Sequence, residues 1–159
     1  MALDTNVLFD LAAELDFAHS FREVYLERGY ALRIPPTVVQ ELTHYALEKQ
    51  CAETPLALEA LKRMRQCRLM PFELRSVGHG ITEQFARKLI RLALLPEDEF
   101  NDGLILAETS LAAVPVLVSS DGDLLDIEPA ALRVQFEVSD LPPVQIFHPK
   151  PLLWALAPK

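Results

Sequence analysis

The sequence predicts an α/β three-layer sandwich with a central, mostly parallel sheet of about five strands flanked by helices. Three observations carry that expectation. Short apolar runs alternate with longer stretches whose apolar residues recur at helical spacing, the order that builds a parallel sheet covered by helices. The run over 114–118 is apolar throughout, as a strand buried on both faces is. Turn-forming residues close the runs: Asp4-Thr5-Asn6 after Ala2-Leu3, Pro35-Pro36 after 31–34, and Ser119-Ser120-Asp121-Gly122-Asp123 after Val118.

Each element follows in order. Residues 2–3 form a very short buried strand, and a first helix carries Val7, Leu8, Leu11, Ala12 and Leu15. Ser20 is the expected cap of a second helix to about Arg28, with Phe21, Val24, Tyr25 and Leu26 apolar and Gly29 stopping it. Residues 31–34 are the next strand. Thr37 is the expected N-cap of a helix that reaches about Gln50 and holds Glu41 one turn in. Pro55 opens another, to about Cys67, with Leu56, Leu58, Leu61 and Met64 apolar. Residues 69–72 read as a strand and Gly78 and Gly80 as a loop. Thr82 then caps a helix bearing Phe85, Leu89, Leu92 and Leu94. Pro96 and Glu97-Asp98-Glu99 suit the positive end of a helix dipole, and that helix carries Asp102 near its start, then Leu104, Ile105, Leu106 and Ala107. A last strand is expected within 132–138, and an apolar segment at 152–156 docks on the body.

A chain of 159 residues fits one compact domain, and half of its residues are hydrophobic, so it can bury a substantial core. We assign 1–140 to the domain and 141–159 to a C-terminal extension docked on it. No apolar run approaches the roughly 20 residues that span a bilayer, and Asp4 interrupts the first apolar stretch where a secretory segment would lie. Cys51 and Cys67 fall in no metal-binding spacing and read as reduced thiols of a cytoplasmic protein.

The net charge is −8, with 23 acidic against 15 basic residues, which excludes a generally sticky nucleic-acid binder. It does not exclude a nuclease, because bound cations offset carboxylates gathered at a metal site. The basic residues are also grouped: Lys62, Arg63, Arg65, Arg68 and Arg75 in one set, Arg87, Lys88 and Arg91 in another.

Four acids stand where such a site would form. In an open parallel sheet, ligands bind beyond the carboxyl ends of the strands, near the point where strand order reverses. Asp4 follows the first strand and Asp121 follows the 114–118 strand. Glu41 and Asp102 lie near helix starts, which face the same edge. Such a cluster is costly without a cation, and oxygen-only ligands suit hard Mg²⁺ or Mn²⁺, not zinc.

The same residues carry a resemblance that spans nearly the whole chain. Leu3-Asp4-Thr5-Asn6-Val7-Leu8, Ile34-Pro35-Pro36 leading to Glu41, Asp102-Gly103-Leu104-Ile105-Leu106-Ala107, and Val116-Leu117-Val118-Ser119-Ser120-Asp121 stand in the order of the PIN-domain motifs, and the sequence resembles that family. The resemblance implies a Mg²⁺- or Mn²⁺-dependent ribonuclease, with Asp4, Glu41, Asp102 and Asp121 as catalytic metal ligands. It also implies the toxin-antitoxin context of many small bacterial members, hence an antitoxin protein as partner. The tail with Pro142-Pro143, Pro149 and Pro151 exceeds the minimal fold and is similar to the extensions of some non-toxin members.

On that reading Thr5, Asn6 and Ser119 orient the carboxylates, and Asp98, at i, i+4 spacing from Asp102, and Asp123 are candidates to share the site. Arg63, Arg65, Arg68 and Arg87 are candidates to guide an RNA backbone. The leucine-rich helices are compatible with a homodimer. Three rival readings stand beside it. A catalytically silent PIN-like module binding RNA or protein is the alternative. An aspartate-nucleophile phosphatase needs an acid where Asn6 stands. A calcium loop around Asp121-Gly122-Asp123 lacks further ligands at the required spacing.

Overall fold

Two residues suffice for the central strand because both are completely buried between neighbours that pair with them. The computed structural model describes residues 1–48 and 52–156. In it β1 (Ala2–Leu3) is the middle of a five-stranded sheet of order β3-β2-β1-β4-β5. The others are β2 (Arg33–Ile34), β3 (Met70–Pro71), β4 (Val116–Val118) and β5 (Gln145–Phe147), and every pairing is parallel. Ala2 lies opposite Arg33 and Leu117, and Leu3 lies opposite Val118. The exposed Pro71 sits in β3, an edge strand, where a missing N–H is tolerated.

The chain runs from β1 outward to β2 and β3, then returns to the other side of β1 for β4 and β5. Strand order therefore reverses between β1 and β4. Right-handed crossovers put α1 (Thr5–Ala12), α2 (Asp16–Glu27), α3 (Pro36–Leu47) and α4 (Thr54–Gln66) on one face. They put α5 (Ser76–Arg91), α6 (Phe100–Leu111), α7 (Gly122–Leu125) and α8 (Pro129–Val138) on the other. Finally α9 (Pro149–Leu156) packs on α2, where the Tyr25 hydroxyl donates to the Leu152 carbonyl at 3.0 Å. The result is the three-layer sandwich the sequence predicts.

Close packing on the second face depends on one glycine. A Cβ on Gly103 of α6 would stand 2.7 Å from both Cα and Cβ of Ala86 on α5, so only glycine lets these helices meet. Phe85 of α5 stacks on Phe136 of α8 with centroids 4.7 Å apart.

Helix ends share one device. Glu14, Arg68, Ala93, Ala113 and Asp140 have φ between 54° and 61° and follow α1, α4, α5, α6 and α8; Gly29 (φ 81°) follows α2. In each case the next residue (Leu15, Leu69, Leu94, Val114, Leu141 or Tyr30) donates its N–H to the carbonyl five positions back. These are left-handed helix stops of the Schellman type, with an apolar side chain immediately after the stop.

Several expectations are corrected. Residues 132–138 are not a strand but lie in α8: Pro129 fits its first position, and the Glu128 carboxylate accepts the N–H groups of Ala130 and Ala131. The fifth strand is β5, contributed by the segment after residue 140. Gly78, Gly80 and Thr82 lie inside α5. The first helix ends at Ala12, leaving Leu15 exposed, and Ser20 lies within α2 instead of capping it. Thr37 is inside α3, whose N-cap is Pro35. The expected continuation of that helix to Gln50, and the state of Cys51, lie outside the described residues. Cys67 is a free thiol that accepts from Arg22 Nη1 at 3.0 Å. Among the described residues, no helix is long and apolar enough to cross a membrane.

Candidate functional site

The reversal between β1 and β4 brings the two strand-end acids together. Asp4 leaves β1 with its N–H still bonded to the Val118 carbonyl at 3.0 Å, so its position is set by the sheet. Its side chain caps α1, accepting the Thr5 N–H at 2.7 Å through Oδ1, and accepts Ser119 Oγ at 2.7 Å through Oδ2. The same Ser119 oxygen accepts the Asp121 N–H at 3.0 Å, so one hydroxyl joins both acids.

Asp121 caps the short α7, accepting the Asp123 N–H at 2.8 Å, and its other oxygen accepts Asn6 Nδ2 at 2.5 Å. Glu41, one turn into α3, is held at both oxygens: Thr5 Oγ1 donates to one, and Asn101 Nδ2 donates to the other at 2.8 Å. Asp102 projects from the first turn of α6 and is only 7% exposed. Its Oδ2 is the one buried side-chain oxygen or nitrogen among the described residues that has no hydrogen-bond partner.

The electrostatics are those of crowded anions. Burial, chiefly, pushes Asp102 up to about 8, reinforced by Asp4, Asp121, Glu99 and Glu41. Burial also pushes Asp4 up to about 7, helped by Glu41 and Asp121 and opposed by the bonds from Ser119 and Thr5. Every donor to the four acids among the described residues is neutral. Among the described residues, none of the four forms an ion pair with Lys, Arg or His. No three His, Cys, Asp or Glu side chains among the described residues close around a common point as a finished metal cage.

Two contributors had escaped the sequence. Glu99, at the N-cap of α6, is pushed up by partial burial and then by Asp121, Asp98, Asp123 and Glu41. Its spacing from Asp102, three residues, was the available signal. Asn101 bonds Glu41 across 60 positions of sequence, which no local pattern reveals. Asp98 precedes the helix, in an exposed turn, so the i, i+4 relation to Asp102 does not exist. Asp123 is exposed and meets the cluster through its N–H bond to Asp121.

The arginines separate into two kinds. Arg63 pairs with Glu14 and with Glu59 (2.8 Å) and donates to the Leu11 carbonyl at 3.0 Å, so it ties α4 to the end of α1. Arg65 and Arg68 are exposed. Arg87 is exposed too, 3.9 Å from Glu83, with its guanidinium 5.3 Å above the ring of Phe100, which precedes Asn101 and Asp102 in α6.

No family model and no curated protein matches the sequence. Among solved structures, the chain is similar to VapBC2 from Rickettsia felis, solved bound to a DNA fragment from their promoter. The superposition has a TM-score of 0.61 and covers 92% of this chain and 96% of that one, at 15% identity. The fold is PIN-like. At this identity the likeness is one of fold alone.

Proposed function

We propose that this PIN-like chain is a Mg²⁺- or Mn²⁺-dependent ribonuclease that hydrolyses RNA phosphodiester bonds at the carboxylate cluster. The observation that carries this reading is Asp102 Oδ2, a buried carboxylate oxygen without a donor among the described residues, set among acids that form no ion pair with any described Lys, Arg or His. A buried anion in that state is stabilised by a cation. Mg²⁺, which keeps several waters and takes only one or two carboxylates, needs no finished three-ligand cage.

Asp4 and Asp102 would hold the cation most directly, with Asp121 and Glu41 around it and Glu99 and Asp123 at its margin. When bound, the cation supplies Lewis acidity toward the phosphodiester and its attacking water. The chain's own part is orientation. Ser119 and the Thr5 N–H aim Asp4, Asn6 and the Asp123 N–H aim Asp121, and Thr5 and Asn101 fix both oxygens of Glu41. Arg87, beside Phe100, is the cation best placed to meet an RNA phosphate near the cluster, with Phe100 offering a face to a base. The partners we propose are an antitoxin protein, from the resemblance, and a second copy of the chain, from its leucine-rich helices.

The alternative is a catalytically silent module that binds RNA or protein, favoured by the absence of a finished cage among the described residues. Labelled single-stranded RNA incubated with the protein and Mg²⁺ or Mn²⁺ separates the two. Cleavage that disappears with EDTA, in Asp4→Asn and in Asp102→Asn supports the nuclease. An intact substrate together with no Mn²⁺ binding by the parent chain rejects it.

A further inference from the structure

Glu108 is a buried acid that the cluster does not use. It stands six residues beyond Asp102 on α6 and is 3% exposed. Its carboxylate accepts the Thr37 N–H at 3.0 Å and the Thr37 hydroxyl at 2.7 Å. Glu108 forms no ion pair among the described residues, although His79 attracts it, and a carboxylate buried in that way needs a structural reason. That reason lies at the start of α3. Pro35 and Pro36 have no N–H, and Pro35, the N-cap, has no side-chain acceptor, so Thr37 carries the first unpaired N–H of the helix. Glu108 supplies from another helix the cap that the local sequence lacks.

This cap is one of two clasps along a seam. Thr37 and Glu41 lie one turn apart on α3; Asn101 and Glu108 lie two turns apart on α6. Glu108 meets Thr37, and Asn101 meets Glu41, so the two helices run in opposite directions along the seam. We propose that Glu108 is a positioning residue: by capping α3 from α6, it sets where the Glu41 carboxylate stands over the cluster. The catalytic consequence rests on the nuclease reading; the placement of Glu41 does not. Without Glu108, Thr37 loses both partners, and Glu41 depends on Thr5 and the exposed Asn101 alone.

The test compares Glu108→Ala, Glu108→Gln and Thr37→Val with the parent. A glutamine keeps the cap, since its Oε1 accepts the Thr37 N–H while its Nε2 donates to the Thr37 hydroxyl. The readouts are the ¹³C resonance of the Glu41 carboxyl in the metal-free chain, and kcat and KM on labelled RNA with Mn²⁺. Glu108→Ala and Thr37→Val should shift the Glu41 resonance and lower kcat about tenfold with KM within about twofold, while Glu108→Gln stays near the parent. An unmoved Glu41 resonance in Glu108→Ala, or an equal loss in Glu108→Gln, overturns the proposal. Should Glu108→Ala fail to fold, Thr37→Val carries the comparison through the hydroxyl bond alone: it keeps the shape and the capped N–H, so its shift of the Glu41 resonance should be the smaller one, and no shift at all overturns the proposal. A parent that cleaves no RNA removes the nuclease reading, and the Glu41 resonance still decides the placement.

Discussion

Ser119 Oγ donates to Asp4 Oδ2 at 2.7 Å and accepts the Asp121 N–H, so a single hydroxyl locks the ends of β1 and β4 together. The bond holds Asp4 lower than its burial alone would place it. Ser119→Ala should therefore raise the Asp4 pKa further above about 7 and reduce kcat/KM by about 10- to 100-fold, as loss of a group that orients a metal ligand does. Carbon-13 titration of Asp4 in the metal-free chain checks the first; an unchanged titration would mean the hydroxyl is incidental.

Stability without divalent cations should fall as pH rises. Asp4 and Asp102 are raised from an ordinary 3.8 to about 7 and about 8, so the folded chain holds protons that the unfolded chain has released. Their destabilisation begins near pH 4, grows through about 8 and is level above it. Asp102→Asn removes its share, so its melting temperature relative to the parent should climb across that window by several degrees, each kcal/mol being about 2–4 °C in a chain of this size. Calorimetry in EDTA at pH 5, 6.5 and 8 measures it. A constant difference between the two proteins would contradict the shift.

Gly103→Ala should cost about 1–3 kcal/mol, because the new methyl meets Ala86 Cα and Cβ at 2.7 Å and α5 must move. Ala86→Gly in the same chain relieves the side-chain half of the clash and recovers part of the loss. Chemical denaturation of the single and double variants tests this, and additive losses would argue against direct contact.

The left-handed stops offer the opposite sign. Ala93 and Ala113 occupy φ 54°, which disfavours any side chain with a Cβ. Ala93→Gly and Ala113→Gly should each stabilise the chain by about 0.5–1 kcal/mol. A loss in denaturant midpoint at either position would show that the alanine methyl makes a contact worth more than its strain.

Arg63 and Arg87 should answer differently. Arg63 is spent on Glu14, Glu59 and the Leu11 carbonyl, so Arg63→Ala should lower the melting temperature and leave RNA affinity alone. Arg87→Ala should leave stability nearly unchanged and reduce the salt dependence of RNA binding by about one charge. Binding isotherms over a range of salt concentrations distinguish them.

The site was legible because strand ends and helix starts are local events. Asp4-Thr5-Asn6 and Ser119-Ser120-Asp121 announce themselves after short apolar runs, and the prolines before α3 place Glu41 one turn in. What escaped depends on partners far along the chain. Glu108 reads as an ordinary helix residue until Thr37 is beside it, and Thr37 reads as its own helix's cap until Pro35 is seen to hold that position. Leu132, Val134, Phe136 and Val138 alternate as a strand would, yet Leu132 and Phe136 are also one helical turn apart. Glu128 and Pro129 favour the helix, burying that pair and leaving Val134 and Val138 exposed. The sequence marks one helix end by a glycine, Gly29, whereas five end on other residues in the left-handed conformation.

The two-residue β1 has a consequence for synthesis. Asp4 is made more than a hundred residues before the strand that holds it on one side, which pairs Leu117 with Ala2 and Val118 with Leu3. A nascent chain still short of β4 therefore has its first acid and no wall to set it against. Asp121 follows β4 directly, so the ribosome delivers the last wall and the last carboxylate in one short stretch. The cluster is assembled late and all together, and until then the growing chain carries no completed site.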